Sequence, residues 1–249
     1  MKAPSRRLRS AFTLIELLVV IAIIAILAAM ILGAILKVKG KVAIAAAKLD
    51  MGKIGTAIHQ YEGAYGPLPV SGNAIAIAGI SNDFSYGGAA LNAVIGPGAW
   101  TADNAEVVAI LMDLETYGNG TPTVNKGHVK NPHKTKFLDA PMVGDAISPG
   151  VGTDGVFRDP WGNPYIISLD LNANGKCRDA FYALRTVSQQ AGPTGFNGLV
   201  NARDAGGAGD NFEFNGTVMV WSLGPDKSAS SSQPANAGAN RDNVLSWKP

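Results

Sequence analysis

Disulfides are excluded at once, because Cys177 is the only cysteine in 249 residues. A lone thiol of this kind reads as a small buried side chain. The usual signatures of catalysis are missing as well. There is no G-x-S-x-G, no H-E-x-x-H and no phosphate-cradling G-x-x-x-x-G-K-[ST]. His128 and His133 are five apart and have no acidic or cysteine companion at metal-ligand spacing. These absences argue against an enzyme. Proline is absent between Phe12 and Gly66, so nothing there forbids a long helix. Charge is absent from all 20 residues between Leu17 and Leu36.

That uncharged run is long enough, at about 1.5 Å per residue, to cross a hydrocarbon core of roughly 30 Å. The formal charge of +2 conceals an asymmetry, since Lys2, Arg6, Arg7 and Arg9 all precede the run. Setting those four aside leaves 17 basic against 19 acidic residues, which removes the electrostatic case for nucleic-acid binding. The basic cluster reads as the cytoplasmic flank of a single membrane span. The small residues Ser10 and Ala11 come before the apolar stretch, the reverse of a secretory peptide, so the basic leader is the part to be removed. Glu16 is the anomaly. An ionisable group at the bilayer centre costs from about 2.5–3.5 kcal/mol, so this carboxylate needs a partner or a place in the headgroup region.

Beyond Leu36 the helical pattern persists. Ile44, Ala47, Met51, Ile54, Ile58, Tyr61 and Tyr65 step by three and four, as one face of a helix does, and Val38, Val42, Ala45 and Leu49 form a second stripe. Two apolar faces suit a helix that packs on its own domain with one and on neighbouring subunits with the other; one broad core-facing surface is the alternative. Y-E-G-A-Y-G-P-L-P, residues 61–69, ends the helix. A Gly/Ala/Asn-rich stretch follows, with one short helix expected over 103–117. D-P-W-G-N-P-Y, residues 159–165, then leads to the strand signals IISLDL and AFYAL, expected as a hairpin turning at Asn174-Gly175, and to FEFN and TVMVWSL. Strands after a long amino-terminal helix imply an α+β fold, with the helix packed on a small antiparallel β-sheet.

The run S-A-F-T-L-I-E-L-L-V-V-I, residues 10–21, closely resembles the class III signal of type IV pilins and type II secretion pseudopilins. The resemblance implies a pilin-like fold, and cleavage by prepilin peptidase between Ala11 and Phe12 with methylation of the new amino terminus at Phe12. The family usually has glycine where Ala11 stands. It also implies that Glu16 neutralises the amino terminus of a neighbouring subunit inside a filament core; Phe12 and Glu16 are four apart, so a pairing within one chain is open too. The expected organisation is a leader over 1–11, a transmembrane or filament-core half-helix over 12–36, an amphipathic half over 37–65, an insertion over 66–157, and a sheet with its closing loop over 158–249.

Asp159 to Tyr165, Ser222 to Asp226 and Asp242 to Trp247 resemble the motifs of the major type II secretion pseudopilin. In that family the closing loop binds calcium. By position the implied ligands are the Leu223 carbonyl, the carboxylates of Asp226 and Asp242, and Ser228. A second calcium loop is conceivable where Asp170, Asn172 and Asn174 fit the opening of an EF-hand, but Phe181 stands where its closing glutamate belongs, and a hairpin turn explains the same letters. The resemblance further implies a homo-oligomeric helical filament, partners in the inner-membrane assembly platform and other pseudopilins, and a carboxy-terminal domain in the periplasm. The rival readings are a minor pilin or adhesin that uses residues 70–157 to bind a ligand, and a membrane-anchored periplasmic binding domain or hydrolase.

Overall fold

The computed structural model describes residues 12–79, 82–96, 98, 102–201, 203, 206 and 208–248. Helix α1 runs from Leu14 to Tyr65 and contributes to two compact units, one through Val42 and one from Ala43 onward. In the first unit the segment Leu14–Leu32 is long and apolar enough to cross a membrane, and none of it is buried.

The second unit is an α+β domain built on the remainder of α1. Its main sheet contains four strands in the order β1 (Phe84–Tyr86), β4 (Ile166–Leu169), β9 (Val218–Ser222) and β10 (Val244–Leu245), every pair antiparallel. Phe84 lies opposite Leu169, Ile166 opposite Trp221, and Val244 opposite Ser222. Successive side chains on a strand point to opposite faces. Ile167, Leu169 and Val220 accordingly join Ala47, Met51, Ile54, Ile58 and Tyr61 of α1 in one core, while Ile166, Met219 and Trp221 join Phe181, Tyr182 and Leu91 in a second. Both faces are covered, which is why β4, apart from Ser168, and β9 up to Trp221 read as apolar runs rather than alternating ones.

The expected apolar face of α1 is buried from Ala47 to Tyr61; Ile44 stays exposed. The segment 66–157 enters the fold directly, supplying α2 (Gly72–Ala78), edge strand β1, α3 (Gly88–Ile95), α4 (Ala105–Leu111) and the small ribbon of β2 (Gly150–Val151) and β3 (Phe157–Arg158). The helix expected over 103–117 is shorter, because Asp113 adopts a left-handed φ of 56° and turns its carboxylate to Asn125 and His128.

The expected hairpin of IISLDL with AFYAL does not form. Asp179 stops the second strand: its buried carboxylate accepts the amides of Phe181 and Tyr182, the Ser168 hydroxyl and the Trp221 indole N–H, and this winds 179–184 into turns. The helical turn α5 (Arg185–Ser188) follows. FEFN and TVMVWSL both supply strands, in different sheets, and FEFN does not join the main one. It contributes β8 (Phe212–Glu213) to a separate antiparallel sheet with β5 (Gln189–Ala191), β6 (Thr194–Gly195) and β7 (Val200–Asn201).

Candidate assembly site

At the start of α1, Thr13 is the N-cap and Glu16 the third helical residue. The Thr13 amide and hydroxyl donate to Glu16 Oε2 at 2.8 and 2.7 Å, and the Glu16 amide donates to Thr13 Oγ1 at 3.3 Å. This is a capping box, which satisfies amides that a helix terminus otherwise leaves open. The spacing T-L-I-E announces it, but sequence reasoning fixed on the cost of the charge and missed its local use. Phe12 is exposed, and Ala11 lies outside the described residues. The large side chains from Leu14 to Leu32 stand open around the helix, as do Val38, Val42 and Leu49 of the second stripe.

The two distant carboxy-terminal motifs form one structure. Asp159 is fully buried; its Oδ1 accepts the Trp161 and Asn163 amides at 2.8 and 2.9 Å, and its Oδ2 accepts the Asn163 side-chain amide at 3.1 Å and the Ser222 hydroxyl. Asn163 also donates to the Gly224 carbonyl at 3.0 Å. Gly224 has φ +72°, and a Cβ there would come within 2.3 Å of the Asp242 carbonyl oxygen, so only glycine permits the approach. The knot thereby brings Asp226 to Asp242: the Asp226 amide donates to Asp242 Oδ2 at 3.3 Å, and the Asp226 carboxylate accepts the Ser228 amide at 2.9 Å. Leu223, Asp226, Ser228 and Asp242 therefore share one loop cluster. Among the described residues no group of three or more His, Cys, Asp or Glu side chains gathers as metal ligands, so a cation here would depend on backbone carbonyls and water for most of its oxygens.

The second calcium loop has its oxygens committed to the turn. Asp170 accepts the amides of Asn174 and Gly175, Asn174 accepts that of Lys176, and Asn172 donates its side-chain amide to Asp83. Burial pushes the Asp83 carboxyl up to about 6, with Asp170 and Glu213 adding negative charge and the Arg178 amide and guanidinium opposing. Cys177 is wholly buried and its thiol is pushed up by that burial, as suits an unreactive core residue. His128 does have acidic companions, contrary to the sequence expectation. Its Nδ1 lies 2.8 Å from Asp113 Oδ1 and its Nε2 3.1 Å from Glu115 Oε1, contacts made across a loop that local spacing does not display.

No curated protein and no solved structure matches the chain. Residues 6–32, which contain Thr13, Glu16 and most of the apolar run, match the family described as the prokaryotic N-terminal methylation motif, so this chain carries a type IV pilin-like signal of the kind read by prepilin peptidase.

Proposed function

We propose that the chain is a structural subunit, pilin-like or pseudopilin, that polymerises into a filament, with the type II secretion pseudopilus as its setting. Prepilin peptidase cuts between Ala11 and Phe12 and methylates Phe12. The assembly platform then lifts the subunit from the inner membrane, and α1 stacks through heterologous contacts that do not close into a ring. The carboxy-terminal domain sits on the periplasmic side.

The observation that carries this reading is Glu16, held by Thr13 at the mouth of an exposed apolar helix inside the methylation motif. In a free subunit Thr13 satisfies the carboxylate. In a filament the ammonium of a neighbouring Phe12 is the stronger partner, because an ion pair with hydrogen bonds outweighs neutral donors in an apolar core. Intact mass and amino-terminal sequencing of sheared filaments test this, alongside Glu16→Ala. The expected result is a start at N-methyl-phenylalanine 12, with the variant processed but absent from filaments. An intact Met1, or wild-type filament yield from Glu16→Ala, would overturn it.

The proposal extends to calcium at the closing loop, held by the Leu223 carbonyl, Asp226 and Asp242, with Ser228 as the weaker ligand. The adjacency of Asp226 and Asp242 supports it, and the ion would tie the loop to the sheet without a disulfide. Added calcium should raise the melting temperature of the protein and chelator reverse this, with no response in Asp242→Asn. A wild-type protein indifferent to calcium would remove the ion and leave the subunit reading untouched.

A further inference from the structure

The flank of α1 beyond the apolar span is basic. Residues 33–49 include Lys37, Lys39, Lys41 and Lys48, and the first acid after Glu16 is Asp50. Lys39 and Lys41 are exposed, and neither makes an ion pair among the described residues. At about 1.5 Å per residue they lie roughly 10 and 14 Å along the helix from Leu32. The headgroup layer adds about 5–8 Å on each side of the hydrocarbon, and lysine stems reach several ångströms along apolar surface while keeping the ammonium in a polar layer. Two residues on a helix are about 200° apart, so Lys39 and Lys41 address lipid on opposite sides. A helix embedded in a bilayer meets headgroups all round.

The other flank sharpens the point. The four basic residues before the span all lie in the leader, so cleavage after Ala11 leaves the span with a basic flank at its carboxy-terminal end alone. We infer that Lys39 and Lys41 form a collar that binds the anionic phosphate headgroups of the leaflet at the carboxy-terminal end of the span, and so holds the unassembled subunit in the membrane until extraction. Juxtamembrane basic clusters are attracted to anionic lipid over about a Debye length, and salt weakens the attraction. The collar rests on the reading of Leu14–Leu32 as embedded in lipid.

The chain cleaved after Ala11, reconstituted in phosphatidylcholine vesicles with and without phosphatidylglycerol, allows both to be tested. Spin-labelled forms of each lipid report which one occupies the protein boundary, and flotation reports insertion. The expected result is about threefold enrichment of phosphatidylglycerol at the boundary, reduced by high salt and lost when Lys39→Gln and Lys41→Gln are combined in a protein that still floats. A floating native protein without enrichment, or a double variant with enrichment unchanged, overturns the collar alone. A native protein that does not float overturns the membrane reading and the collar with it.

Discussion

Between Leu14 and Leu32, α1 leaves every large apolar side chain exposed, whereas between Ala47 and Tyr61 the same helix buries Ala47, Met51, Ile54, Ile58 and Tyr61 under the main sheet. Both stretches satisfy helical spacing. In the first, apolar residues surround the axis, and no side of the helix is marked for a domain of its own. In the second, lysines, glycines and Thr56 confine the apolar residues to one stripe, and the domain covers that stripe. Sequence hydrophobicity therefore specifies burial in the second stretch, and in the first a segment long and apolar enough to cross a membrane.

Matched substitutions should separate the two most sharply. Ile54→Asp places a charge in a filled core and should cost more than about 4 kcal/mol, enough to prevent folding of the domain. Ile24→Asp should leave the urea midpoint of the domain, followed by tryptophan fluorescence in detergent, within about 0.5 kcal/mol of wild type, while penalising membrane insertion by about 2.5–3.5 kcal/mol, read by flotation. Equal effects on folding would dissolve the distinction. Next in size is Asp159→Ala. It leaves the Trp161 and Asn163 amides and the Ser222 hydroxyl without their acceptor, and should cost about 2–4 kcal/mol in the same urea experiment.

A smaller effect comes from Asp83. Its folded carboxyl titrates at about 6, above its ordinary 3.8, so the folded domain binds the proton more tightly than the unfolded chain does. Stability from this group therefore rises as pH falls through 6 and is fully gained below about 4, a change of about 1–2 kcal/mol once partial exposure is allowed for. Asp83→Asn should flatten that part of the pH profile. If the profile is unchanged, the charge is not destabilising the site. The smallest effect is Leu49→Ala, on the exposed stripe: under about 0.5 kcal/mol for the isolated subunit, with any larger loss appearing only in filament yield.

The amino-terminal signal, the span and the buried face of α1 were legible because each is a local pattern read along one helix. The Thr13–Glu16 box was legible too, as T-x-x-E, but its letters were spent on another explanation. The rest depended on distance in the chain. Asp159 and Ser222 are 63 apart, and each motif alone looks like a turn. The failed hairpin is instructive, because N-A-N-G is a good turn and AFYAL a good strand, yet four hydrogen bonds converging on the buried Asp179 outweigh both. His128 found Asp113 and Glu115 only because a left-handed residue at 113 ends α4 early.

The strand order has a consequence in time. β9 lies between β4 and β10, and the chain must be complete to Leu245 before the sheet that covers α1 can close. Pairings of such sequence separation form late and slowly. A chain leaving the ribosome has made all of α1 while most of the domain that buries Ala47 to Tyr61 is still unmade. The buried face of α1 is thus complete by Tyr61, while the strands that cover it wait for residues up to Leu245.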